Sequence, residues 1–106
     1  MDAVTAVSGS GPAYVFLLAE ALAEAARAEG LDAATADRLA RATIAGSGAL
    51  LAADARPAAA LRKEVTSPGG TTEAALEILM APDGLSALMR RAIAAATQRG
   101  KMLGKG

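Results

Sequence analysis

Apolar positions in this chain recur at helical spacing and are punctuated by glycine and proline. Val15, Leu18, Leu22, Ala25 and Ala26 fall on one face of a helix that Pro12 can open, because a first-turn residue needs no N–H. Ser10 or Gly11 would cap this helix. It would run to about Glu29, with Gly30 as a left-handed terminating residue and Leu31 as its apolar contact. Asp32 is a good N-cap for a second helix reaching roughly Asp54, with Leu39, Ile44, Leu50 and Leu51 as its larger apolar side chains. Pro57 opens a short third helix to about Glu64. A fourth is predicted from about Thr72 to Met80, and a turn follows at Pro82-Asp83-Gly84. A last helix, from about Leu85 to Leu103, puts Leu85, Leu88, Met89, Ile93 and Ala96 on one face. Met1 to Val7 form a short entry segment that Ser8-Gly9-Ser10-Gly11 should break, and Gly104-Lys105-Gly106 read as a frayed end. No run alternates long enough to be a half-buried strand. The pattern predicts an all-α chain of about five helices and one domain over residues 1–106, with no repeat of fixed period.

Composition changes this picture in one respect. Apolar types make up 53% of the 106 residues, but 30 of them are alanine; larger side chains include 13 leucines, 4 valines and 3 isoleucines, and Tyr14 and Phe16 are the aromatics. Alanine methyls remove little area from water. Such helices suit very close packing and a core completed by a second copy, so the sequence predicts an obligate oligomer. Gly46-Ser47-Gly48 inside the second helix points the same way. Each glycine costs about 1 kcal/mol against alanine there, and a close approach of another backbone is favoured over a kink as the reason.

Charge and residue types exclude several chemistries. Eleven basic and eleven acidic residues cancel, so no global field draws nucleic acid or an anionic membrane. Residues 1–37 carry six acidic residues and one basic, residues 38–85 five of each, and residues 86–106 five basic and none acidic. The basic last helix complements its own C-terminal dipole, and without stacking aromatics it does not read as a nucleic-acid groove. The absence of cysteine and histidine removes disulfides, Cys/His zinc sites, thiol nucleophiles and imidazole-based triads. No stretch reads as a membrane span and no signal peptide is visible; a cytoplasmic location is expected.

The best candidate for chemistry is Thr66-Ser67-Pro68-Gly69-Gly70-Thr71-Thr72. Pro68 holds Ser67 extended, and the two glycines free the backbone and clear the loop of side chains. A glycine loop feeding a helix aims several N–H groups and the positive end of the dipole at one point, which suits an anion. No lysine follows the glycines, so this is not a triphosphate loop, and a carboxylate is the better ligand. A plain turn with Thr71 or Thr72 as N-cap fits the same residues. Ser8-Gly9-Ser10-Gly11-Pro12 fails as a dinucleotide fingerprint: the third glycine would fall at Tyr14, and no strand precedes it. Glu20, Glu24 and Asp54 show no telling spacing and read as solvated.

Two segments carry a family resemblance. Asp2-Ala3-Val4-Thr5-Ala6-Val7-Ser8-Gly9-Ser10-Gly11-Pro12-Ala13-Tyr14 resembles the start of the C-terminal domain of pyrroline-5-carboxylate reductase. Leu61-Arg62-Lys63-Glu64-Val65-Thr66-Ser67-Pro68-Gly69-Gly70-Thr71-Thr72, followed by Ala75-Leu76 and Leu79, resembles that family's signature segment. The resemblance covers nearly the whole chain in the right order. It implies an interlocked homodimer of the 6-phosphogluconate-dehydrogenase-C-terminal-like type, assembled further in many members, often into a decamer of five dimers.

By resemblance, the complete enzyme reduces 1-pyrroline-5-carboxylate to L-proline with hydride from NADP(H) or NAD(H), held in an N-terminal Rossmann domain that this chain lacks. The chain is therefore expected to dimerise and help bind substrate, but to bind no cofactor and to catalyse nothing alone. The resemblance implies that amides around Ser67, Gly69, Gly70 and Thr71 hold the substrate carboxylate. It also implies that Thr72 places its hydroxyl near the ring nitrogen, with Thr5 near it as a second catalytic group. Asp54 lies where family members often carry a glutamate. No metal, nucleic acid or membrane partner is expected. The alternatives are a purely structural dimerisation module without a ligand site, and a helical domain from another two-domain dehydrogenase; the wording of residues 66–72 argues against the second.

Overall fold

The computed structural model describes residues 1–105, and those residues are helical with no strand among them. Helix α1 spans Asp2–Val4 and widens into a π turn over Thr5–Gly9; α2 covers Gly11–Ala28, α3 Ala33–Ala53, α4 Ala58–Glu64, α5 Thr71–Leu79 and α6 Leu85–Lys105.

Local chemistry accounts for most boundaries. Asp32 caps α3 through its side chain, with Thr35 N–H donating to Oδ1 at 2.8 Å and the Thr35 hydroxyl donating to Oδ2 at 3.0 Å. Helix α2 ends in a complete Schellman arrangement. Gly30 takes φ +108°, its N–H donates to Arg27 O at 2.9 Å, and Leu31 N–H donates to Ala26 O at 3.2 Å. Pro57 serves as the N-cap of α4 rather than as its first helical residue. Helix α6 runs on through Lys105, past the predicted frayed start at Gly104; Gly106 lies outside the described residues.

The Ser8-Gly9-Ser10-Gly11 break does not occur. Pro12 has no N–H to offer the preceding turn, and the chain answers by widening rather than unwinding. Ser8 Oγ donates back to Val4 O at 2.9 Å, and Ser10 keeps helical dihedrals as the N-cap of α2. Helical backbone thus extends over Asp2–Ala28, 27 residues within which an 18-residue window has a mean hydropathy of 1.3. This corrects the expectation that no stretch approaches a membrane span. By length and composition alone this one does, because the π turn joins two apolar runs that glycine was expected to separate.

The described chain divides into two compact units, one of Met1–Gly9 with Arg56–Gly106, the other of Ser10–Ala55. In the second unit α2 packs on α3, and its buried side chains are Ala36 and Ala40, one turn apart. In the first unit α1 and the π turn pack on α6, burying Ala6. Asp2 lies over Gly100 so closely that a Cβ there would come within 3.3 Å of Asp2 Oδ1. Leu61 is buried on α4. The corner between α5 and α6 depends on Gly84, whose N–H donates to Ala81 O at 2.8 Å; a Cβ on it would run into the carbonyls of Leu79 and Ala81.

These cores are thin. Ala6, Ala36, Ala40 and Leu61 are the buried apolar side chains among the described residues, while Phe16 is 67% exposed, Leu17 63% and Ile78 75%. The chain presents 8044 Å² to solvent at a mass of 10.5 kDa, where a self-sufficient monomer of that mass shows about 5400 Å². The excess is of the size that obligate partners bury. Gly46 and Gly48 have nothing within 4 Å of an added Cβ, so none of the described residues makes the close approach that their smallness suggested.

Two expectations follow. Gly84→Ala should lower the thermal midpoint, with a loss of about 1–3 kcal/mol or more from the overpacked corner, as read by circular dichroism. At Asp32 the hydrogen bonds from Thr35 hold the carboxylate below its ordinary range. A group whose pKa falls on folding adds stability above its unfolded pKa and loses it as pH falls through the folded value. Asp32→Ala should therefore lower the midpoint at pH 7, and its deficit should shrink on acidification below about pH 4. Asp32→Asn, an equally good cap without the charge, should match the parent at pH 7 and show no such dependence. A deficit for Asp32→Ala that is constant with pH would remove this account.

Candidate functional site

The Thr66–Thr72 segment folds as a turn that delivers the chain into α5. Helix α4 gives out at Val65, and Thr66 closes its end: the Thr66 hydroxyl donates to Arg62 O at 2.6 Å and its N–H to Lys63 O at 3.1 Å. Ser67-Pro68-Gly69-Gly70 then makes a tight turn, with Gly70 N–H donating to Ser67 O at 3.1 Å. Proline in the second position and Gly69 at φ +72° in the third are the marks of a type II turn, which only a residue without Cβ enters freely. Gly70 is the extended N-cap of α5, and the turn folds over it so tightly that a Cβ would lie 3.2 Å from Ser67 O.

Gly70 has no side chain to cap the helix, and no other side chain does so. The N–H groups of Thr71, Thr72 and Glu73 have no acceptor among the described residues; the first helix-type bond here runs from Ala74 N–H to Gly70 O at 3.3 Å. Three uncapped amides, the positive end of the helix dipole and the adjacent hydroxyls of Ser67, Thr71 and Thr72 make a receptor for a carboxylate-sized anion. Ser67 and Thr71 are exposed and Thr72 is half-buried.

The structure narrows the sequence reading of which amides converge. Gly70 N–H is used inside the turn, and Gly69 N–H donates to the carboxylate of Glu73 at 3.2 Å. These two amides do not point at an outside ligand in this chain, because the turn and the first helical turn satisfy them. Their residues clear the surface of side chains, while the open amides lie one residue further on than Gly70. Glu73 was not among the predicted residues. Its signal was present in Gly70-Thr71-Thr72-Glu73, which has the spacing of a capping box with glycine in place of the usual hydroxyl residue.

Thr5 lies in the π turn, which packs on α6, and no hydrogen bond joins Thr5 to Thr72. An open groove of about 410 Å³ runs beside the turn, lined by Arg62, Lys63, Thr66, Glu73, Leu76, Glu77 and Met80. Ser67, Gly69, Gly70, Thr71 and Thr72 do not line it. That groove therefore does not include the anion receptor. Asp54 ends α3 in extended conformation, its N–H donating to Leu50 O at 2.9 Å, and Arg56 reaches Glu64 at 2.8 Å. No group of acidic, cysteine or histidine side chains suited to hold a metal occurs among the described residues.

Comparison with known proteins covers the same residues. The family model described as pyrroline-5-carboxylate reductase dimerisation matches residues 1–103. Pyrroline-5-carboxylate reductase of Pseudomonas aeruginosa is 48% identical over 99 residues, which is 93% of this chain and 36% of that protein. The Mycobacterium leprae enzyme of the same name is 48% identical over 120 residues, covering 97% of this chain and 40% of its own. A crystal structure of Plasmodium falciparum pyrroline carboxylate reductase with NADP bound superposes with a TM-score of 0.90 at 35% identity, covering 98% of this chain and 39% of that one. The structure of pyrroline-5-carboxylate reductase from Coxiella burnetii also gives a TM-score of 0.90, at 43% identity, over 96% of this chain and 37% of its own. The chain thus spans well under half the length of the proteins it matches. With its helices, its glycine turn and almost every residue covered, the chain belongs to the pyrroline-5-carboxylate reductase dimerisation family.

Proposed function

We propose that this chain is the C-terminal dimerisation and substrate-binding domain of an enzyme that reduces 1-pyrroline-5-carboxylate to L-proline, the last step of proline biosynthesis, in the cytoplasm. The observation that carries the substrate half of this reading is the uncapped start of α5, with the N–H groups of Thr71 and Thr72 open beside three hydroxyls. The substrate carboxylate rests on these amides and on Ser67, while Gly69 and Gly70 give it room. The Thr72 hydroxyl then lies near the ring nitrogen, and Thr5 supplies a second hydroxyl for proton relay. Reduction of a cyclic iminium calls for orientation and placed charge more than for a strong base, so hydroxyls and amides suffice.

NADP or NAD supplies the hydride in the complete enzyme. The described residues do not fit a dinucleotide: they hold no strand, and Ser8-Gly9-Ser10-Gly11 lies on a helical turn instead of a strand-to-helix loop. The domain alone is proposed to dimerise without catalysing.

Membership of a dimerisation family supports self-association, and the exposed apolar side chains of both units support a second copy as their cover. In this reading residues 1–106 become one domain in the homodimer, whose partner walls the receptor; five such dimers make the decamer. Neither nucleic acid nor membrane is a partner. The rival reading, a structural dimerisation module without a ligand site, is favoured by the two turn amides already engaged within the chain.

Two measurements check these proposals. Gly46→Leu or Gly48→Leu should block dimer formation in sedimentation velocity, since leucine bars the crossing of helices that glycine allows; an unchanged dimer would count against interlocking at that site. In a complete reductase carrying this domain, Thr72→Val should lower kcat/KM about tenfold to a hundredfold, the loss of one hydrogen bond to a charged group. The module reading predicts no change.

A further inference from the structure

We propose that Glu73 is the positioning residue of the carboxylate receptor: it holds the Pro68–Gly69 peptide in the type II orientation and so reserves the Thr71 and Thr72 amides for the substrate. The proposal rests on the substrate-binding reading of this turn.

Two forms are open to Ser67-Pro68-Gly69-Gly70. Type I and type II turns share their end-to-end hydrogen bond, here Gly70 N–H to Ser67 O, and differ by a flip of the central peptide. Proline in the second position is compatible with both, and glycine in the third pays no steric penalty in either. The local sequence favours type II without excluding the flip. It matters, because the flip turns the Gly69 N–H from one face of the loop to the other.

Glu73 decides it. As the third residue of α5 it stands one turn above Gly70, and its carboxylate accepts the Gly69 N–H at 3.2 Å, matching φ +72° at Gly69. A capping box uses the same glutamate on the N-cap amide; here it reaches one residue further back, onto the turn itself. Two consequences follow. The orientation of the turn that precedes the open amides is set before substrate arrives, which removes an ordering cost from binding. The carboxylate of Glu73 is also committed to Gly69, and Thr71 and Thr72 remain uncapped. The interaction needs an acceptor oxygen at that reach and not a charge, so glutamine should replace glutamate while aspartate, one methylene shorter, should not.

The test has two readouts. Amide hydrogen exchange on this chain should show Gly69 exchanging at least about tenfold faster in Glu73→Ala and Glu73→Asp than in the parent, and near the parent rate in Glu73→Gln. In a complete reductase carrying the domain, Glu73→Ala should raise KM for the imine acid about tenfold with kcat within about twofold, and Glu73→Gln should restore it. Circular dichroism confirms that each variant is folded. Unchanged Gly69 exchange overturns the proposal, as does a glutamine variant that behaves like alanine, or a KM that is unchanged or falls on removal of Glu73. Thr72→Val measured alongside separates the two levels. If it impairs the enzyme while Glu73→Ala does not, the receptor stands and only the role of Glu73 falls; if neither has an effect, the receptor falls as well.

Discussion

The constraint on which the rest depends is the shortage of buriable side chain. Hydrophobic burial supplies most of the drive to fold, in proportion to the apolar area removed from water. In this chain alanine occupies positions that would hold leucine or phenylalanine in a self-sufficient helical domain. The consequence is visible in both units. α2 and α3 meet over Ala36 and Ala40, and α1 with its π turn meets α6 over Ala6. Small residues let helices approach closely but leave Phe16, Leu17, Leu18 and Ile78 facing outward. These exposed side chains accord with membership of a family named for dimerisation.

A ligand pocket needs opposing walls. The turn before α5 provides one wall, made of backbone and hydroxyl groups. In the proposed dimer these backbone donors, closed over by a second subunit, make ligand binding and assembly interdependent. They also make the absence of histidine and cysteine unimportant, since the proposed work of this domain is holding and orienting, not bond making.

Around the turn, structure is set by a few short-range bonds. Thr66 closes α4, Ser67 accepts from Gly70, and Glu73 reaches back to Gly69. Each uses a donor or acceptor that would otherwise remain unsatisfied at a helix end. What they leave over, the Thr71, Thr72 and Glu73 amides, is the chemically available part of the segment. Gly84 plays a related part at the next corner, where the backbone passes too close to the Leu79 carbonyl for any side chain.

Helix type, order and most ends were legible in the sequence because their causes are local: Asp32 as a cap, Gly30 as a left-handed stop, and Pro68-Gly69-Gly70 as a turn feeding a helix. The likeness of residues 2–14 and 61–72 to a known family was legible for the same reason, since a run of specific residues needs no third dimension to be read. Only the tertiary structure decided the rest. Instead of a break at Ser8-Gly9-Ser10-Gly11, a π turn over Thr5–Gly9 leads through Ser10 into α2, and that turn packs on α6. Gly69 and Gly70 turned out to spend their amides within the chain, and Thr71 and Thr72 to keep theirs. Composition shows that donors are present, but which of them remain open depends on the direction of each N–H, and that is fixed only when the turn closes and Glu73 finds its acceptor position.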